Sequence, residues 1–120
     1  MGNSLSRSRR RFVQRLALAA GAWPFASLAK AASPRRVFIT GSTDGIGRGA
    51  AIALMREGHQ VVLHARSEAR AKTAFADLAS QAAGVVIGDL ASAEQTRSLA
   101  EQVNKIGRMD AVIHNAGIFR

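Results

Sequence analysis

The sequence predicts a doubly wound α/β fold, a parallel sheet with helices on both faces. Three observations predict it. Short continuous apolar runs recur four times along the body of the chain, stretches with helical spacing separate them, and a glycine-rich turn joins the first run to the first helical stretch. Runs that are apolar throughout suit strands buried on both faces, and strand–helix–strand alternation with short connections closes by right-handed crossovers into parallel order.

In chain order, the first strand is expected at Val37-Phe38-Ile39-Thr40, just after Arg36. The first helix follows the glycine turn, with Ile46, Ala50, Ala53 and Leu54 as its apolar stripe. Val61-Val62-Leu63-His64 reads as the second strand, and Ala71, Phe75 and Leu78 mark a second helix. Val85-Val86-Ile87 forms the third strand, Leu99, Val103 and Ile106 face a third helix to the sheet, and Ala111-Val112-Ile113-His114 completes the set. Gly58, Gly84 and Gly107 stand where the helices are expected to stop, and Ser92 with Gln95 three residues later forms a capping box. There is no internal repeat of motif quality.

Thr40-Gly41-Ser42-Thr43-Asp44-Gly45-Ile46-Gly47 lies at the junction of the first strand and first helix. Glycines serve such a junction by permitting the tight turn, the approach of a pyrophosphate and the close packing of helix on strand, while the helix N-terminus adds its positive dipole end. An anion is expected there, and the Ser42 and Thr43 hydroxyls add donors. No Gly-Lys-Ser/Thr follows, which argues against an ATP or GTP hydrolase.

Composition narrows the remaining classes. The 120 residues are 48% hydrophobic, which suits one domain. The formal charge of +9 is unevenly placed, because Arg7, Arg9, Arg10, Arg11, Arg15 and Lys30 meet no acid before Asp44. Setting those six of the 17 basic residues aside leaves 11 against 8 acids, so the body is only mildly basic. No aromatic platform interleaves with the basic residues, and nucleic acid is not an expected partner. The lack of cysteine excludes disulfides, thiol catalysis and cysteine-ligated zinc. His59, His64 and His114 have no Ser or Asp at triad-like positions, and His114 reads as a residue at a sheet end in preference to a metal ligand or base.

The spacing of the glycine loop, followed in order by Asp89-Leu90 and by His114-Asn115-Ala116-Gly117, resembles the short-chain dehydrogenase/reductase family from Val37 to Gly117. The resemblance implies a Rossmann-type sheet that binds a nicotinamide dinucleotide through Gly41, Ser42, Thr43, Gly45, Ile46 and Gly47. It also implies an adenine contact at Asp89 and Leu90, and a cofactor border at Asn115, Ala116 and Gly117, with Asn115 helping to hold the sheet. His114 replaces the first Asn of the family's Asn-Asn-Ala-Gly. Arg66 lies about 20 residues beyond the glycine loop, where an acid would accept the ribose hydroxyls of NAD and a base accommodates the extra phosphate of NADP, so NADP(H) is favoured over NAD(H). Asp44 does not help a 2′-phosphate, and Arg48 at the helix start is the side chain expected to offset it.

The family's chemistry is hydride transfer between nicotinamide C4 and a small carbonyl or alcohol substrate, using a tyrosine, a lysine and a serine. This sequence has no tyrosine. Catalytic residues are therefore expected to be none, the sheet to be truncated after the fourth strand, and residues 37–120 to be a partial NAD(P)-binding domain, inactive alone and oligomeric only with the missing half. A non-catalytic NADP(H)-binding module and a truncated remnant that does not fold are the competing readings.

Residues 1–31 read as an address. Ser8-Arg9-Arg10-Arg11-Phe12-Val13-Gln14 resembles the twin-arginine export signal, and the apolar stretch Leu16–Ala29 is shorter than the roughly 20 residues a membrane span needs. Ala29-Lys30-Ala31 supplies a cleavage site, and residues 32–36 form a linker. The twin-arginine translocase is then the expected partner and the bacterial periplasm the destination. A mitochondrial transit peptide, or an extension from a wrong start on a cytoplasmic protein, are the alternatives.

Overall fold

The computed structural model describes residues 33–118. Over that span the chain runs β1 (Arg36–Ile39), α1 (Gly45–Arg56), β2 (Gln60–Ala65), α2 (Glu68–Ala74), β3 (Gly84–Ile87), α3 (Ala93–Ile106) and β4 (Ala111–Ile113). The export reading of residues 1–31 lies outside the described residues. The strands form one parallel sheet in the order β3-β2-β1-β4, with Phe38 of β1 paired to Val62 on one side and Val112 on the other. The expected α/β sheet, wound in both directions from β1, is what the chain builds.

Side-chain alternation along the strands sorts the core into two layers. Val37, Ile39, Val61, Leu63 and Ala65 face Ala51 of α1 together with Phe75 and Leu78, whereas Phe38, Val62 and Val86 face Leu99 and Val103 of α3. Burying each large aliphatic side chain is worth about 1.5–3 kcal/mol before chain entropy is subtracted. Three helix ends are closed locally. After α1, the Gly58 amide bonds to the Met55 carbonyl and the His59 amide to the Leu54 carbonyl, both at 3.0 Å, and Gly58 takes φ +90°. That is the Schellman arrangement, which glycine alone adopts without strain. Ser67 caps α2 by accepting from the Arg70 amide, and Ser92 caps α3 by accepting from the Gln95 amide at 3.2 Å.

Several local expectations are corrected. Gly84 opens β3 and does not end a helix. The second helix stops at Ala74, and the chain turns through Phe75–Ala82, with the Ala79 amide on the Phe75 carbonyl at 2.8 Å. The turn still buries Phe75 and Leu78, so their apolar spacing marked the core without marking the helix. The stripe of α1 holds at Ala50 and Leu54, which pack against the core, but its buried centre is Gly47 and Ala51, whereas Ala53 is exposed and Ile46 is 85% exposed. Gln95 completes only half a capping box, because its side chain accepts from the Asp89 amide. β4 is not buried on both faces. It lies at the sheet edge, and Ala111, Val112 and Ile113 are all exposed.

Arg48 fastens α1 to the turn after α2. Its guanidinium bonds to the Ala74 carbonyl and to both carboxylate oxygens of Asp77, at 3.0 and 2.9 Å. The hydrogen bonds from this guanidinium hold the Asp77 carboxyl below its ordinary value.

Candidate functional site

The carboxyl ends of the strands open into a cleft of about 550 Å³, a size suited to a small organic ligand. It lies where the winding reverses, since β2 is reached from β1 through α1 on one face and β4 is reached from β3 through α3 on the other. In open α/β sheets this is where ligands bind.

The glycine loop forms one wall and is pinned from both sides. On the β4 side, the Asn115 side-chain amide donates to the Gly41 carbonyl at 2.9 Å. The Thr40 hydroxyl accepts from the Asn115 and Ala116 amides at 3.0 and 3.1 Å. On the β2 side, the Gly41 amide donates to Nδ1 of His64 at 2.8 Å. The hydroxyl of Ser42 accepts from the His64 amide at 2.8 Å and donates to the His64 carbonyl at 3.2 Å. Close approach requires glycine at Gly47, where a Cβ would lie 2.5 Å from the Asn115 side-chain nitrogen and nearer still to the Gly41 carbonyl oxygen, and at Gly41 it adds to a backbone φ of +64°, since a Cβ there would lie 3.0 Å from the Ala116 Cα. Gly45 has open space where a side chain would stand, and its φ of +55° alone favours glycine.

α1 begins at Gly45 with its N-terminus open. Asp44 is the N-cap residue, its side chain makes no capping bond, and no acid stands in the first turn. The amides of Gly45, Ile46 and Gly47 have no acceptor within the helix, because the first turn never does. Oriented donors and the dipole end together make an anion site.

Across the cleft stand the ends of β2 and β3. Arg66 carries a side chain 72% exposed, and its Nε lies 3.3 Å from Oδ2 of Asp89. The other Asp89 oxygen accepts from the Ala91 amide at 2.9 Å. Arg70, in the first turn of α2, lines the cleft beside them. Two cations therefore stand against the carboxylates of Asp44 and Asp89.

The cleft gathers most of the expected residues: Gly41, Thr43, Gly45 and Ile46 from the loop, Arg66, Asp89 and Leu90 from the facing wall, and Asn115, Ala116 and Gly117 after β4. Ser42 and Gly47 do not line it. Ser42 is fully buried with its hydroxyl committed to the His64 backbone, and Gly47 packs beneath the loop. Arg48 does not offset Asp44, because its guanidinium is spent on Asp77 and Ala74. Sequence reasoning missed Arg70 and His64. The signal for Arg70 was Ser67, which as N-cap sets the first turn of α2 directly after Arg66. His64 had no signal, since its partners are backbone groups of Gly41 and Gly88. His114 is exposed, and no group of three metal-ligating side chains gathers among the described residues.

Comparison with known proteins gives one answer at three levels. The family model described as short chain dehydrogenase matches residues 35–120. An uncharacterized oxidoreductase of Emericella nidulans is 53% identical over 83 residues, and the short-chain dehydrogenase chyC of Penicillium rubens is 51% identical over 83; each match covers 69% of this chain and 32% of the relative. The chain thus spans about a third of the length of the curated relatives it matches. Among solved structures, a gluconate 5-dehydrogenase of Burkholderia cenocepacia in complex with NADP and tartrate superposes with a TM-score of 0.64 at 30% identity, covering 81% of this chain and 39% of that one. An Escherichia coli protein complexed with NADPH superposes with a TM-score of 0.59 at 32% identity, covering 70% of this chain and 38% of that one.

Proposed function

The chain belongs to the short-chain dehydrogenase family, and from that membership we propose that its described residues are the dinucleotide-holding part of an NADP(H)-dependent oxidoreductase. The observation that carries this reading is the open N-terminus of α1, glycine-lined and set at the reversal of the sheet. The residues present fit the group: the first-turn amides of α1 suit a pyrophosphate, Asp89 and Leu90 an adenosine, and Ala116 and Gly117 the approach of a flat ring. Arg66 and Arg70 are the side chains suited to a 2′-phosphate. The solved relatives that carry NADP and NADPH support the same cofactor. When bound, that cofactor would exchange hydride between its C4 and the carbon of a small carbonyl or alcohol. The curated relatives extend well beyond the matched span, each match covering 32% of the relative, so holding the cofactor is what is proposed for these residues.

The test compares NADPH with NADH by fluorescence titration. Arg66→Gln is expected to weaken NADPH binding about tenfold to a hundredfold, the worth of a charge-assisted contact, and to leave NADH binding nearly unchanged. Equal losses for both nucleotides would remove the phosphate role from Arg66. Absence of binding to the folded chain would remove the dinucleotide reading.

Residues 1–31 complete the proposal as a twin-arginine leader that carries the folded, cofactor-loaded protein to the periplasm, on the strength of Arg9-Arg10-Arg11-Phe12 and the short apolar stretch after it. Fused to a reporter in a bacterium, these residues are expected to export it, and replacing Arg9, Arg10 and Arg11 by Lys is expected to stop export. A reporter that stays in the cytoplasm in both forms would overturn the leader.

A further inference from the structure

His64 is 97% removed from solvent, being only 3% exposed, yet both ring nitrogens have partners. Nδ1 receives the Gly41 amide at 2.8 Å, and Nε2 lies 2.7 Å from the Gly88 carbonyl oxygen. A backbone amide only donates, so Nδ1 carries no proton; a carbonyl only accepts, so Nε2 carries one. Two independent partners therefore specify the same neutral tautomer. The ring joins the glycine loop to the end of β3, the two walls between which the dinucleotide is proposed to lie.

We propose that His64 is a positioning residue whose neutral Nε2–H ring ties the Gly41 amide of the glycine loop to the Gly88 carbonyl at the end of β3, so that a side chain unable to accept at one end and donate at the other weakens dinucleotide binding. The affinity part rests on the dinucleotide reading above; the tautomer and the hold on Gly41 do not. A proton on Nδ1 would point at the Gly41 N–H, replacing an acceptor by a second donor and leaving that amide without a partner. The loop then keeps its Asn115 bond on the β4 side and loses the amide bond on the β2 side, where only the Ser42 contacts to the His64 backbone remain. No carboxylate is placed to compensate. The charged groups facing this part of the cleft are Asp44 from the loop, Arg66 and Arg70 from the end of β2 and from α2, and Asp89 from the end of β3, and among the described residues none of them bonds to the imidazole. β1 presents Phe38 edge-on, with ring centroids 6.4 Å apart, and α3 contributes the apolar Leu99 and Val103 to that layer.

The experiment reads the nucleotide-free chain and its NADPH complex by ring nitrogen chemical shifts, amide exchange and NADPH titration. The shifts are expected to give the Nε2–H tautomer, with the Gly41 amide protected from exchange. His64→Gln places a carbonyl oxygen and an amide N–H in the same two roles and is expected to keep both the Gly41 protection and the NADPH affinity. His64→Phe, which fills neither role, is expected to lose the Gly41 protection and to bind NADPH about tenfold or more weakly, the worth of one unsatisfied buried donor. An Nδ1–H tautomer, or Gly41 protection and NADPH affinity no different between His64→Phe and His64→Gln, would overturn the proposal. Failure of the dinucleotide reading looks different: no form binds NADPH, while the ring and Gly41 signals still decide whether His64 holds the loop.

Discussion

Replacing Gly47 by alanine is expected to abolish NADPH binding and to cost about 1–3 kcal/mol of fold stability, the usual penalty for overpacking. The added methyl would enter the space between the Asn115 side-chain nitrogen, 2.5 Å away, and the Gly41 carbonyl oxygen, which are the two ends of one hydrogen bond. Neither end is free to retreat. One is backbone, and the other belongs to a residue whose backbone amide is held by the Thr40 hydroxyl. The wedge therefore moves the glycine loop off β4, and the anion site moves with it. Gly49, on the same helix, has nothing within 4 Å of where its Cβ would stand. Gly49→Ala is the matched control, expected to gain about 0.5–1 kcal/mol from lower chain entropy and to bind as the parent does. Thermal shift with and without NADPH reads both effects, and a Gly47→Ala chain that binds like the parent would mean that the cradle is not the binding element.

Phe75→Ala is expected to act on the fold rather than the cleft, at about 3–5 kcal/mol. Phe75 is 1% exposed and is the largest fully buried side chain among the described residues, packed with Val61, Leu63 and Leu78 between the sheet and the end of α2. A small domain has only about 5–15 kcal/mol in hand. The substitution is therefore expected to move the urea midpoint, followed by circular dichroism, toward zero or to leave the chain unfolded in buffer. A midpoint like the parent's would mean that the turn after α2 is not part of the cooperative core.

These two residues also show how far the sequence could be read. The order of strands and helices was legible because apolar runs and helical spacing report burial directly, and Phe75 and Leu78 were correctly placed inside even though the helix does not reach them. Phase was not legible. Ile46 looked like the start of a buried stripe, but α1 begins one residue earlier with Ile46 turned outward, and nothing in residue type distinguishes an apolar side chain beside a cleft from one beneath a sheet. Glycine was ambiguous in the same way: Gly58 ends a helix, whereas Gly84 opens a strand. Within the site, the backbone cradle was readable from Gly41, Gly45 and Gly47, since glycine spacing encodes backbone geometry. Side-chain employment was not. Whether Ser42 faces a ligand or the His64 backbone, and whether Arg48 faces a phosphate or Asp77, depends on partners 22 and 29 residues away.

The bonds that set the glycine loop against β4 join residues 74 to 76 positions apart. Loops of that length close slowly, and contacts between distant residues are formed late in folding. During synthesis, β1 and its glycine turn leave the ribosome first, but they have no partner for the Gly41 carbonyl until Asn115 has emerged. A nascent chain that has already completed three strands therefore still lacks the β4 side of its glycine-loop anchoring. Nucleotide capture would then mark the moment at which the fourth strand docks, and a dinucleotide added to a translating ribosome would select chains that had passed that point.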